Sequence, residues 1–110
     1  MIEKIILDYL SEKLDVPVYL EKPASVPERY VVFEKTGSSR ENFINSATIA
    51  IQSYAESMYE AANLNEKVKE AMDSIVSLPS VSKSRLNGDY NFTDTTKKQY
   101  RYQAVYDLTF

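Results

Sequence analysis

Three carboxylate pairs stand four residues apart in the chain: Asp8/Glu12, Glu56/Glu60 and Glu66/Glu70. On a helix that spacing brings both side chains to one face. Such a pair can divide general-acid and general-base work when a pocket drives the two pKa values apart. Here each pair falls among other charged residues, so all three read as solvated helix surface. A second group, Lys97, Lys98 and Arg101, is interleaved with Tyr100 and Tyr102. Cations beside rings can track and stack on single-stranded nucleic acid. The same run also reads as a charged hairpin tip whose tyrosines line a sheet, and the acidic balance of the chain favours that reading. A third stretch, Gly37 to Phe43, is polar and reads as a loop between two strands. Arg40 is its residue best able to make bidentate or stacking contacts with a partner, although a plain solvent loop accounts for it as well.

What is missing narrows the chemistry further. The chain has 110 residues, no Cys, no His, no Trp and two Gly. Tetrahedral zinc sites, Ser-His-Asp systems and Cys-His systems all need residues that are not there. Gly37 and Gly88 are too far apart for a glycine-rich phosphate-binding loop. No Asp/Asn/Gly cluster resembles a calcium loop. No catalytic, cofactor-binding or metal-binding residue is therefore expected, and no disulfide can form. The one candidate contact set is Arg40, Lys97, Lys98 and Arg101, read as interface residues.

The composition is that of an ordinary folded domain, 44% hydrophobic and 26% charged. A single domain spanning residues 1–110 is expected, with roughly 6,200 Å² left exposed after folding. The net charge is −3, which argues against a general nucleic-acid binder. Residues 1–80 carry 8 basic and 13 acidic side chains, while residues 81–110 carry 5 and 3. This asymmetry suits head-to-tail contacts between copies, or is surface scatter. Glu3, Lys4 and Asp8 interrupt the apolar start, so it does not read as a signal peptide. No run has the length of a membrane span, and a cytoplasmic chain without a membrane partner is expected.

The elements that would carry these residues follow from periodicity. Ile2, Ile5, Ile6, Tyr9, Leu10 and Leu14 form one helical stripe, closed before Pro17. Val18 to Leu20 is a short edge strand, and Lys22 to Glu28 is a loop with two prolines. Tyr30 to Thr36 is β-branched and aromatic, hence a strand. Phe43 to Tyr54 is the next, with Ala47, Ile49 and Ile51 on its core side. Ser57 to Glu60 has capping-box spacing, with Ser57 capping and Glu60 reaching back to it. Ala61, Leu64, Val68, Ala71, Met72 and Ile75 form the stripe behind that cap, and Pro79 ends the helix. Val81 to Thr93 and Gln99 to Phe110 are the last strands, with a bulge or turn at Asn87-Gly88. The nine tyrosines serve either as interface anchors or as half-exposed core. The expected fold is α+β, a two-layer sandwich in the order α-β-β-β-α-β-β. About five strands form an antiparallel or mixed sheet with both helices on one face.

Three stretches carry a family resemblance. They are Pro-Glu-Arg-Tyr-Val-Val-Phe-Glu-Lys-Thr-Gly at 27–37, Ser-Ala-Thr-Ile-Ala-Ile-Gln-Ser-Tyr-Ala at 46–55, and the capped helix Ser57 to Met72. With the N-terminal helix and the closing hairpin, they span nearly the whole chain. In these features the chain resembles the tail terminator family of siphophages and prophages, also described as tail completion or minor tail components. The resemblance implies a structural protein of the virion neck, made in the host cytoplasm. It implies a hexameric ring that caps the tail tube protein and meets the head connector protein. The family has no shared active-site residues to carry over. Other neck or head-closure subunits, and a small cytoplasmic binding module, are the alternatives.

Overall fold

Two amphipathic helices turn their apolar stripes toward one side of a sheet. The computed structural model describes all 110 residues, Met1 to Phe110. Helix α1 (Ile2–Lys13) buries Ile2, Ile6, Tyr9 and Leu10. Helix α2 (Met58–Asp73) buries Ala61, Leu64, Asn65, Val68, Ala71 and Met72. A short 3-10 turn, Ile75–Ser77, follows it and drops Ile75 into the core. The strands are β1 (Val18–Tyr19), β2 (Tyr30–Glu41), β3 (Ile44–Ala55), β4 (Lys83–Asn91) and β5 (Tyr100–Thr109). The fold is α+β, in the expected order α-β-β-β-α-β-β.

The sheet order is β1-β2-β3-β5-β4. Only the β1–β2 pair is parallel, and the other three pairs are antiparallel. Successive strand residues point to opposite faces. Val31 and Phe33, Ala47, Ile49 and Ile51, and Ala104, Tyr106 and Leu108 therefore share the helix side. They join the helix stripes in one 20-residue cluster. Tyr9 ties the two helices together, its hydroxyl donating to the Ala71 carbonyl at 2.7 Å. The folded chain exposes 6536 Å², close to the area expected for its mass.

The α2 cap forms only in part. Ser57 Oγ accepts from the Glu60 backbone N–H at 3.2 Å. The Glu60 carboxylate does not return to the cap; it pairs with Arg29 Nη1 at 3.2 Å. A guanidinium offers a stronger charged partner than a backbone N–H already near water.

The largest departure from expectation lies at Gly37 to Phe43. This is not a loop. Strand β2 runs on through Gly37, Ser38, Ser39, Arg40 and Glu41, and β3 pairs with it back from Ile44. Only Asn42 and Phe43 turn, with φ of 51° and 67°. Two positive φ values in succession fit the right-handed twist of a hairpin. The pairing shifts by one residue between Lys35 and Gly37, leaving Thr36 as a bulge. The result is a two-stranded arm, exposed on both faces from Glu34 to Ile44, with cover beginning at Asn45 and Ser46. It helps give the molecule a long axis of 44 Å against 25 and 24 Å. The other strands start or stop within two residues of expectation, and the Asn87 bulge is present.

Phe33 is 1% exposed and Phe43 is 87% exposed, which makes them a test of this division. Phe33→Ala should cost about 3–5 kcal/mol through lost packing and a cavity. Phe43→Gly should not lower stability, because glycine accepts the positive φ that a bulky residue resists. Urea unfolding of both variants checks the two expectations.

Candidate functional site

The side of the sheet away from the helices carries no helix, although Tyr30, Ala50 and Tyr54 on it are buried, with Lys22 5.8 Å from the Tyr54 ring centroid. Tyr30, Val32 and Glu34 of β2 lie there, with Thr48, Ala50, Gln52 and Tyr54 of β3. Arg101, Gln103, Val105 and Asp107 of β5 share it, as does Tyr90 of β4, by strand alternation and register. Their polar groups join strand to strand. The Tyr54 hydroxyl donates to Gln52 Oε1 at 2.9 Å, and Gln52 Nε2 donates to Gln103 Oε1 at 2.9 Å. Gln103 Nε2 in turn donates to the Tyr90 hydroxyl. Thr48 Oγ1 and Asn87 Nδ2 both donate to Asp107, at 2.9 and 3.0 Å. Tyr30 stacks on Tyr54, with centroids 4.5 Å apart and planes 7° apart. The open face is thus a cross-strand ladder of amides, hydroxyls and one aromatic stack.

Arg101 belongs to this ladder. Its Nε donates to the Phe92 carbonyl at 2.6 Å, and its Nη1 donates to the Tyr54 hydroxyl at 3.1 Å. Its guanidinium lies 4.4 Å from the Phe92 ring centroid and 5.8 Å from that of Tyr54. A guanidinium held at four points is internal cement. Tyr100 and Tyr102 take the opposite parity and face the helix side, so cations and rings do not gather on one surface.

The other interface candidates are scattered. Lys97 and Lys98 lie in the exposed β4–β5 connection, which is closed by an Asp94–Gln99 bridge. Arg40 lies on the β2–β3 arm, 5.5 Å from the Phe43 ring centroid. The arm tip lies beyond the Ser46–Thr109 pair, whereas Lys97 and Lys98 lie beyond Ala55–Tyr100. These are opposite ends of the sheet, so Arg40 and the two lysines form separate surfaces.

Each carboxylate pair has at least one member in an ion pair. Asp8 pairs with Lys4, and Glu66 with Lys69, both at 2.9 Å. Arg29 grips Glu56 by two nitrogens and also reaches Glu60. That clamp joins the chain just before β2 to the start of α2. The Arg29 hydrogen bond holds the Glu56 carboxyl below its usual range.

Beneath the helices, Asp89 accepts from Asn65 and Lys69, each at 2.9 Å. The fully buried Tyr106 donates to Asp73 at 2.8 Å. Pairing with Glu66 and Asp89 pushes Lys69 up, and burial pushes the Tyr106 hydroxyl up. Burial likewise raises Tyr9 and Tyr30. Each of these shifts moves its group away from neutral pH, opposite to the tuning that acid–base catalysis uses. The cluster fastens α2 to β4 and β5.

The largest cavity, about 590 Å³, is a groove between α1 and α2 walled by Tyr9, Lys13, Asp15, Lys67 and Glu70. Its charges are of both signs. No group of three acidic side chains is placed to hold a metal ion. No helix is long and apolar enough to cross a membrane. No protein-family model matches the chain, and no curated protein matches it.

Two outcomes follow from these contacts. Arg101→Ala should cost about 1–2 kcal/mol, since it removes charged hydrogen bonds at a partly exposed site. Lys97→Ala should stay within about 0.5 kcal/mol of the parent; chemical denaturation distinguishes them. The Glu56 shift also has a pH signature. A carboxyl lowered in the folded state stabilises above its unfolded value, near 4.5, and that stability fades as pH falls through the lower folded value. Thermal unfolding of Glu56→Gln should fall below the parent at pH 7 and converge with it at strongly acidic pH.

Proposed function

We propose that this chain is a structural subunit of a long-tailed phage particle, a tail terminator. In this reading, copies form a closed ring on the last ring of the tail tube protein. The ring stops tube growth and offers the head connector protein a surface. The subunit is made in the host cytoplasm and ends in the neck of the virion.

The observation that carries the reading is where the molecule invests its structure. Two helices cover one sheet face. The other face carries no helix, and both outer edges and a projecting arm are left open to neighbours. The buried hydroxyls of Tyr9 and Tyr106 are used to join elements. Such a subunit works through shape and repeated contact, which accords with the family resemblance of residues 27–37, 46–55 and 57–72. A ring also needs two different surfaces per copy, related by a rotation that closes. Arg40 and Lys97 with Lys98, at opposite ends of the strands, offer two separate contact surfaces.

The deciding experiment removes the protein from a producing phage and images the particles by electron microscopy. Overlong tails, or tails without heads, are expected. Normal virions would overturn the assignment, and correct-length tubes that fail to join heads would favour another neck subunit. Arg40→Glu and the Lys97→Glu/Lys98→Glu pair, tested separately, should each impair joining with unchanged melting temperature. Normal joining by both would remove these residues as contacts.

A further inference from the structure

Both outer edges of the sheet are unpaired over long stretches. On the β2 side, β1 covers only Val31 and Val32. From Phe33 to Glu41 the outer edge of β2 has no strand beside it. On the far side, β4 has only β5 as a neighbour, so Lys83–Asn91 is open over its whole nine residues. The free part of β2 is the same length. Open edges of this kind are templates for another strand.

We propose that β2 of one copy pairs, antiparallel, with β4 of a second copy, extending one sheet from subunit to subunit. Strand directions favour this. β2 and β5 run the same way, and β4 runs opposite to both. An antiparallel β4–β2 junction therefore leaves the second copy in the same orientation as the first, with its helices on the same side. That is the heterologous geometry from which rings are built.

The bulges fix the register. Each free edge has one, Thr36 in β2 and Asn87 in β4. A bulge reverses which face later residues occupy, so a regular strand laid along either edge would match faces on one side only. The two edges match each other throughout when Lys35 lies opposite Asp89 and Glu41 opposite Lys83. In that register both bulges fall together. Lys35 and Asp89 sit on the helix side, where they already meet Glu3 and Lys69. Glu41 and Lys83 sit on the open side. Both pairs are of opposite charge, the cross-strand arrangement that stabilises a sheet. Pairing β2 with a second β2 at matched faces sets Lys35 against Ser38 and Glu34 against Ser39, with no opposite charges.

The arm tip gives the second reason. Phe43 holds a positive φ of 67° in a turn position that glycine suits best. It is also the most exposed large hydrophobic residue of the chain. A bulky ring kept in that backbone state is a contact residue, because backbone strain persists where it serves function. In the proposed register the tip passes Lys83 toward the 3-10 turn, whose Val76 is 46% exposed.

The absence of native cysteine makes the test clean. Ser39 and Arg85 lie opposite one another in this register, on the open side. Ser39→Cys and Arg85→Cys proteins, mixed at high concentration and oxidised, should give mainly the 39–85 heterodimer. The variant with both cysteines should give a ladder of higher species. Glu41→Lys should lower the yield several-fold, and adding Lys83→Glu should restore it. Dimers formed equally well by Ser39→Cys alone would overturn the proposal, and a dominant 34–39 cross-link between Glu34→Cys and Ser39→Cys proteins would overturn it in favour of β2–β2 pairing. Cross-links no more frequent than for Tyr59→Cys, an exposed site on α2, would overturn it too. The pairing stands apart from the tail assignment: a 39–85 cross-link with normal tails in the deletion phage would keep the edge contact and discard the terminator role.

Discussion

A sheet of five strands has two faces, and this chain has helices for only one. That constraint organises the rest. The helix side is closed by apolar residues from every layer: Ile6 and Leu10, Val68 and Met72, Phe33, Ile49, Ile51, Tyr106 and Leu108. Burying such side chains contributes on the order of 1.5–3 kcal/mol each before entropy is counted. The central strands β3 and β5 are therefore the rigid part, and everything else is placed relative to them. The uncovered face solves a different problem. An exposed apolar sheet would associate without selectivity, and here amides, hydroxyls and the Arg101 guanidinium bind strand to strand instead.

The same constraint explains where neighbours can act. Chain is spent on two covering helices and on a hairpin of two twelve-residue strands whose outer half has no support. The arm contributes little to the core and is held chiefly by its own ladder. Its worth lies in reach. Two strand edges of equal length, each with one bulge, and one aromatic residue at the tip give a subunit specific directions for contact.

Much of this was legible in the residues. The strand expected at Gln99 to Phe110 is β5 within one residue at each end. Ser57 and the stripe behind it marked α2. The arm was not legible, because strand recognition relies on alternation against a core. Gly-Ser-Ser-Arg-Glu is polar on both faces, and its hydrogen bonding to β3 leaves no trace in polarity. Asn42 was the one turn signal, and Phe43 in a positive-φ position disguised it. Arg101 reads from the sequence as an interface residue, and its partners Tyr54 and Phe92 are not legible there, because only the β3–β5 register and the return of the hairpin bring them to it. Arg29 could have been found: a cation just before a strand had Glu56 and Glu60 as waiting partners at the start of a helix. Among the tyrosines, Tyr9 and Tyr106 fill the core with their hydroxyls satisfied, Tyr30 and Tyr54 stack on each other and are buried on the other side of the sheet, and Tyr90 is exposed.

Imaging the head-proximal end of the tail at near-atomic resolution tests the account most directly. A closed ring of copies of this chain is expected there, with β2 of each subunit continuing the sheet of the next through β4. A tail end without this chain, or a ring whose subunits leave both sheet edges open, would contradict it.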